Sequence, residues 1–220
     1  MSALHSKLAG FRKNNLAISF TFYNSTMAVT RLFFMLMMPF LGFLIDNGLD
    51  RNYYSVMVFI CLIFSGFLSI IVLVFRERIT FFYECLIDNY LRNGRLIYSF
   101  FLSFNSPYND RFERLLRWKN IHKMFFLYSI FIYSIQSLGI LITYYFALLN
   151  PDYRVTISQL SATINGVATV LLTMKLEPML SRSMEKSSDF ESKFYSVYYG
   201  RVLSYILSSP LIFGLIYFLV

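Results

Sequence analysis

The sequence predicts an all-α polytopic integral membrane protein with about five transmembrane helices. Of its 220 residues, 57% are hydrophobic and 20% aromatic, and the mean hydropathy of +0.55 is typical of membrane proteins rather than soluble domains. Five apolar stretches are long enough to cross a hydrocarbon core of about 30 Å. They fall at about 16–45, 53–75, 124–149, 155–176 and 196–220. We expect one transmembrane domain over residues 1–220.

The first span carries the first functional candidate. As one straight helix, residues 16–45 would run about 45 Å, which exceeds the hydrocarbon core. We therefore expect the helix to tilt, to kink at Pro39 or to continue beyond the bilayer. Asn24, Thr30 and Arg31 lie near its middle. A cation inside a span is costly and normally faces other protein or a water-filled cavity, so Arg31 is the leading candidate.

The second span opens with tyrosines, which suit the membrane interface. It is followed by a charged insert, residues 76–123, in which apolar residues recur at helical spacing. Asn93-Gly94 breaks the pattern, residues 96, 97, 100, 101 and 104 resume it, and a basic segment with Arg111, Arg114, Arg117, Lys119 and Lys123 ends the insert. We expect amphipathic helices in the membrane interface, with basic residues toward anionic head groups. A solvated linker that packs on the spans is the alternative.

The last three spans differ in polarity. The third is apolar apart from Gln136, and the fifth opens with tyrosines and Arg201 and contains Pro210. The fourth ends at Lys175 to Pro178, and we expect a short polar helix at about 179–193 after it. Its polar residues are Ser158, Gln159, Ser161, Thr163, Asn165, Thr169 and Thr173.

The basic residues predict the orientation. Residues 1–13 hold three Lys and Arg residues, residues 76–123 hold nine and residues 175–201 hold five. The two other connections, residues 46–52 and 150–154, hold one each. With five spans these three segments share a side, and their seventeen of twenty basic residues place them in the cytoplasm. We therefore expect a multi-pass protein of the cytoplasmic (inner) membrane with a cytoplasmic N-terminus.

Motifs for other classes of function are absent. The formal charge of +8 resides in residues that flank spans, so we expect no nucleic-acid partner. There is no Asp-x-Asp pair, no Cys-x-x-Cys and no histidine cluster, since His5 and His122 stand alone. We expect no catalytic residue, metal or cofactor. A membrane transferase or lipid phosphatase is the weakest hypothesis.

The first and fourth spans share a short pattern. Residues 24–29 (NSTMAV) resemble residues 165–170 (NGVATV), and a proline follows each, Pro39 or Pro178. Because the first span runs outward and the fourth inward, the halves would be inverted copies around the third span. Inverted repeats with interrupted polar spans are common in transporters, so the pattern favours a transporter.

Ordered polar residues at both ends of the chain resemble a known family. Residues 8–12 (LAGFR), then Ala17, Asn24, Thr30-Arg31 and residues 39–42 (PFLG) are similar to the opening signature of the alternate lipid II flippase (Amj) family. Residues 164–173 (INGVATVLLT), closed by Glu177-Pro178, are similar to the family's I-N-G-I-A-T-x-L-L-T and D-P pattern. Arg201 stands where the family has an arginine. Thr30 replaces the family's serine and keeps a hydroxyl, and residues 76–123 have no counterpart that we can match.

The resemblance implies a flippase for a polyprenyl-pyrophosphate-linked sugar, either lipid II or a lipid-linked oligosaccharide for surface polysaccharide. Arg31, beside Thr30, would bind pyrophosphate in a bidentate way. Asn24, Gln136, Gln159 and Asn165 would hydrogen-bond sugar hydroxyls. The implied gate residues are Lys175, Glu177 and Arg201, and the implied hinges are Pro39 and Pro178. The alternatives are a structural Arg31 in an inter-helix network, asparagines that only pack helices and an interfacial Lys175–Glu177 pair.

Two further expectations concern the ends and partners of the chain. Family members usually carry an additional span before the LAGFR segment, so the resemblance implies a naturally short member or a missing first span. The expected partners are the lipid-linked sugar, membrane lipids and glycan-assembly enzymes. The alternative function is a non-transporting membrane subunit or scaffold that recruits such enzymes through residues 76–123.

Overall fold

Helices form nearly all of residues 3–107, 121–185 and 189–220, which the computed structural model describes, and no strand occurs among them. Short 3₁₀ or π turns join some of the helices. The α-helices are α1 Ala3–Arg12, α2 Leu16–Asp46, α3 Arg51–Val74, α4 Arg76–Asn93, α5 Leu96–Phe104, α6 Lys123–Leu149, α7 Arg154–Leu171, α8 Glu177–Glu185, α9 Phe190–Leu203 and α10 Ser209–Leu219.

Five helical stretches in the described residues are long and apolar enough to cross a membrane. They are Leu16–Asp46, Arg51–Val74, Lys123–Leu149, Pro151–Glu185 and Phe190–Leu219. The predicted all-α polytopic class with five spans is therefore confirmed. The interfacial segment containing Arg111, Arg114, Arg117 and Lys119 lies outside the described residues, and Lys123 begins α6.

The fourth and fifth helical stretches extend beyond the predicted spans. The fourth does not end near residue 176, because the π turn Leu172–Leu176 carries the helix on into α8. The fifth begins at Phe190, six residues before the predicted start. The separate polar helix expected at 179–193 is thus divided between α8 and the first turn of α9.

Both π turns end two residues before a proline. The backbone N–H of Glu177 donates to the Leu172 carbonyl, and the next residue, Pro178, has no N–H. The Thr173 carbonyl is therefore left without a backbone donor from the following turn. In the fifth stretch, the Ser209 N–H donates to the Ser204 carbonyl. Pro210 has no N–H, so the Tyr205 carbonyl is likewise left without a backbone donor from the following turn. One widened turn is how each helix accommodates its proline without ending.

The described residues form two compact units. The first comprises residues 3–33 and 70–107, and the second residues 34–69, 121–185 and 189–220. In the first unit, α1 is not a polar tail: Ala3 to Gly10 are all buried. Gly10 lies against Ser19 so closely that a Cβ on residue 10 would be 2.1 Å from the Ser19 Cβ. The adjacent core consists of Ala9, Phe22, Tyr83, Leu86 and Ile87.

Ion pairs join α1 to α4 along the edge of this core. The Arg12 Nη1 lies 3.0 Å from a Glu77 carboxylate oxygen and 3.6 Å from one of Glu84, and Lys13 pairs with Asp88. Such partly exposed pairs contribute only about 0.2–1 kcal/mol each. Gly10 and Arg12, which belong to the LAGFR signature, therefore both have a packing role in this unit.

We expect the packing of α1 on α4 to depend on pH through His5. Its Nδ1 lies 3.0 Å from the Thr80 hydroxyl, and burial, followed by nearby positive charges including Arg76 and Arg12, lowers the pKa of His5 from 6.5 to about 3. Below about pH 6.5 the unfolded chain takes up a proton that the folded chain excludes, so stability is complete above that pH. We expect it to fall on acidification by up to about 1.4 kcal/mol per pH unit until about pH 3.

Thermal unfolding of the detergent-solubilised protein between pH 7.5 and 5 tests this expectation. The His5→Gln variant can keep a hydrogen bond to Thr80 but does not titrate. Its midpoint should decline less steeply with falling pH than that of the wild type. Identical slopes for the two proteins would show that His5 does not contribute to acid sensitivity.

In the second unit, spans alternate in direction. The Arg51 guanidinium at the start of α3 donates to the Tyr217 carbonyl at the end of α10 over 3.0 Å. Near the other end of α3, the Ser69 carbonyl accepts a hydrogen bond from the Tyr198 hydroxyl over 3.3 Å. The stretch α9–α10 is therefore antiparallel to α3. A set of serine hydroxyls joins α6 to the π turn Ser204–Ser208 and Ser209, with Ser134–Ser208 at 2.8 Å and Ser137–Ser209 at 2.6 Å.

Candidate functional site

Arg31 is an exposed cation near the centre of α2. Along the helix it lies about 20 Å from both Leu16 and Ile45, so it is too deep to reach a head-group region easily. Its neighbours are also exposed, and these include Leu32 at 57% and Phe33 at 66% of their full surface. Among the described residues, Arg31 makes no hydrogen bond or ion pair. A guanidinium on an apolar surface at this depth requires a polar partner or water.

The other two candidates in the first unit differ from each other. Asn24 precedes Arg31 by seven residues, which places both on one face of α2 about 10 Å apart, and it is exposed. Thr30 is exposed too, but its hydroxyl donates to the Thr26 carbonyl of its own helix over 2.9 Å. The structure thus aligns Asn24 with Arg31 and gives the Thr30 hydroxyl a partner within the helix.

Two candidate amide side chains belong to the second unit, Asn165 on α7 and Gln136 on α6. The Asn165 Oδ1 faces Gly139, where a Cβ would lie 3.1 Å from it, and Gln136 is one helical turn before Gly139. The side-chain oxygens of Asn165 and Gln136 are both buried without a hydrogen-bond partner in the described part of the chain. A buried unsatisfied oxygen costs about 1–3 kcal/mol, so each is suited to accept a hydrogen bond from a ligand or water.

Gln159 does not join this pair. It lies six residues before Asn165, about 120° around α7, and is exposed. The exposed face of α7 that includes Gln159 also carries Thr163 and Gly166. The sequence therefore predicted the polarity of the fourth span, but its polar residues are distributed over two faces.

Two of the residues predicted to form a gate, Arg201 and Lys175, lie over tyrosine rings. The Arg201 guanidinium is 4.6 Å from the ring centroid of Tyr133 and 5.9 Å from that of Tyr205. Lys175 is placed separately, with its Nζ 4.8 Å from the ring centroid of Tyr128. The structure thus places Arg201 and Lys175 on different tyrosines, and Glu177 begins α8.

The helix that contains Arg201 begins earlier than the sequence predicted. Because its helix begins at Phe190, Arg201 lies eleven residues, about 16 Å, into the helical stretch. Its partner Tyr133 is ten residues, about 15 Å, into α6. Residues 201–220 alone are long enough for a hydrocarbon core of about 30 Å, so the position of Arg201 at the start of the last span stays a prediction. The sequence analysis did not single out Tyr128 or Tyr133 of α6, although a tyrosine hydroxyl in an apolar span is an available signal.

The two predicted hinges are embedded in different ways. Pro178 follows a π turn, as described above. Pro39 lies inside the continuous helix α2, next to Met38, whose carbonyl accepts a hydrogen bond from the Tyr144 hydroxyl over 2.9 Å. Whether either proline acts as a hinge stays a prediction.

These features define a multi-pass α-helical membrane protein that has charged and amide side chains within its membrane-length helices. Residues 2–213 match the family model Amj, described as Alternate to MurJ, and the chain belongs to this family. It is 27% identical, over 194 residues, to the protein named Lipid II flippase Amj of Bacillus subtilis (strain 168), covering 81% of this chain and 72% of that protein. No solved structure matches the chain. The resemblance drawn from the sequence motifs is therefore confirmed.

Proposed function

We propose that this protein is a flippase that moves a polyprenyl-pyrophosphate-linked sugar across the cytoplasmic membrane. Membership of the Amj family and the name of the Bacillus subtilis relative, Lipid II flippase, support transport rather than catalysis. They do not favour the scaffold hypothesis. The structural observation that carries the proposal is Arg31, an exposed guanidinium halfway along a membrane-length helix.

The chemistry of the substrate matches that position. A flippase must conduct a pyrophosphate and its sugar through hydrocarbon while the prenyl chain stays in lipid. A guanidinium binds phosphate oxygens through two parallel hydrogen bonds and stays charged in a low dielectric. At the protein surface, Arg31 is open to a head group whose tail remains in the bilayer, and Asn24 on the same face adds hydrogen-bonding capacity toward the sugar.

The second unit contributes groups of two kinds in this proposal. The unsatisfied oxygens of Asn165 and Gln136 accept hydrogen bonds from sugar hydroxyls. Arg201 on Tyr133, Lys175 on Tyr128 and Glu177 form a gate whose charges rearrange as the head group passes. The π turns before Pro178 and Pro210 supply the points at which these helices bend.

Charge supports the proposed orientation in the cytoplasmic membrane. Seventeen of the twenty basic residues fall in segments that share a side when five spans alternate. The alternation of α3 with α9–α10 in the second unit agrees with that arrangement. We therefore propose that the N-terminal segment is cytoplasmic and that Arg51 and Arg154 face outside.

Mass spectrometry of co-purifying lipids tests the proposal. The wild type should retain a polyprenyl-pyrophosphate sugar above the level in the surrounding membrane, and Arg31→Ala should lose it because the pyrophosphate loses its charged partner. Arg78→Ala is the matched control, since Arg78 is an exposed arginine of α4 outside the spans. Bulk phospholipid alone with all three proteins would contradict the proposal and favour the scaffold.

A further inference from the structure

The nine-residue helix α5 turns its serines toward α4 and most of its large apolar residues outward. Phe100 is the exception, with its ring centroid 5.3 Å from that of Phe82 on α4. Ser99 and Ser103 are buried, and Asn89 of α4 donates to the Ser103 hydroxyl over 2.9 Å. On the opposite side, Ile97 is 74% exposed, Phe101 64% and Phe104 75%. The residues that the sequence predicted as one apolar face thus point largely away from the unit to which they belong.

If α5 were surrounded by water, the opposite orientation would be favoured. In a soluble helix pair Ile97, Phe101 and Phe104 would also pack on α4 and the serines would face solvent. Here the serine hydroxyls instead donate to carbonyls of their own helix, Ser99 to Arg95 and Ser103 to Ser99, which removes their need for water. Small residues at a helix contact and large apolar residues outside are the arrangement of helices surrounded by lipid.

The length and flanking charges of α5 indicate how far it enters the lipid. Nine residues span about 13.5 Å, less than half of a hydrocarbon core of about 30 Å. Its N-terminal end is flanked by Arg92 and Arg95, which are exposed and form no ion pair within the described residues. The turn between α4 and α5 is made by Gly94 at φ 64°. Arginines at this level are suited to anionic head groups.

We propose that α5 is inserted into one leaflet of the bilayer as a half-span. Acyl chains cover Ile97, Phe101 and Phe104, and anionic lipid head groups bind Arg92 and Arg95. By the charge argument above, the leaflet is the cytoplasmic one. Residues 96–104 then lie in the hydrocarbon layer rather than in an interfacial linker. This assignment does not depend on transport, so it stands or falls separately from the proposed flippase activity.

Fluorescence quenching in nanodiscs tests the insertion. Trp118 is the chain's one tryptophan and lies outside the described residues; with Trp118→Phe as background, Phe101→Trp places a reporter on the outer face of α5. Phe64→Trp, on an exposed position of α3, is the lipid-facing reference, and Asp152→Trp, in the turn before α7, is the water-facing one. Phe101→Trp should match the Phe64→Trp reference, with strong quenching by acyl-brominated phosphatidylcholine and weak quenching by acrylamide.

Each other result overturns the proposal. Strong acrylamide quenching, as for the Asp152→Trp reference, would place α5 in water. Protection from both quenchers would show that protein covers it, through a second copy or another part of the chain. Ile97→Trp repeats the measurement on the same face in case Phe101→Trp is poorly tolerated.

The head-group part of the proposal has its own readout. Added phosphatidylglycerol should reduce acrylamide quenching of Phe101→Trp further, because it draws Arg92 and Arg95 to the surface. The double variant Arg92→Gln/Arg95→Gln should remove this dependence on anionic lipid. A dependence that persists in the double variant would exclude these arginines as the lipid contacts.

Discussion

Replacing Arg31 by alanine is expected to abolish translocation of the lipid-linked sugar while the protein still inserts and accumulates. Arg31 makes no hydrogen bond or ion pair with other described residues, so the substitution removes no internal contact among them. A hydrogen bond to a charged group contributes about 1.5–3 kcal/mol, so losing one contact lowers the rate about tenfold to a hundredfold. Loss of a bidentate pair lowers it further. The measurement is the translocation rate of a fluorescent polyprenyl-pyrophosphate sugar in proteoliposomes.

Two further variants separate charge from geometry at this position. Arg31→Lys keeps the charge but not the planar pair of donors, and we expect an intermediate rate. Arg78→Ala should transport like the wild type. Normal transport by Arg31→Ala at equal protein level would show that Arg31 has a different role.

The second large effect is expected at two glycines that permit close helix contacts. A Cβ at residue 10 would lie 2.1 Å from the Ser19 Cβ, and one at residue 200 would lie 2.6 Å from the Phe126 carbonyl oxygen. Gly10→Ala and Gly200→Ala should each lower stability by about 1–3 kcal/mol, because the neighbouring helix must move. Thermal unfolding of the purified protein in detergent measures this loss.

Gly166→Ala is the matched control, because nothing lies within 4 Å of its added Cβ. In a helix interior alanine is favoured over glycine by about 1 kcal/mol, so this variant should be as stable as the wild type or slightly more so. If Gly10→Ala and Gly200→Ala unfolded at the same temperature as Gly166→Ala, the close contacts would not limit stability.

The sequence could predict the number of spans because each carries a continuous apolar run that only a membrane-length helix accommodates. It could not predict that α1 is buried, since its periodicity is obscured by His5, Ser6 and Lys7. Lys7 is fully buried, with its ammonium 4.0 Å from the ring centroid of Tyr23. Such a cation–π contact joins residues sixteen apart and depends on how two helices meet, which composition does not encode.

The candidate site, too, could be predicted only in part. The candidates followed from residue type at depth, and the structure aligns Asn24 with Arg31 and leaves the Asn165 and Gln136 oxygens unsatisfied. The earlier start of the helix that contains Arg201 was not predicted, because Tyr195, Tyr198 and Tyr199 resemble interfacial anchors. Tyr198 is instead buried and donates to the Ser69 carbonyl. The orientation of α5 was likewise not predictable, because the sequence of an apolar helix face does not determine whether protein or lipid covers it.

The most direct test of the central claim is translocation by the purified wild-type protein. Liposomes would carry a sugar on polyprenyl pyrophosphate labelled with a dye that an impermeant reductant bleaches, with and without an imposed ion gradient. Without protein, only the dye in the outer leaflet is bleached. We expect the wild-type protein to raise the bleached fraction above that level and Arg31→Ala to leave it unchanged. Bleaching that stops at the protein-free level under every gradient would contradict the flippase assignment.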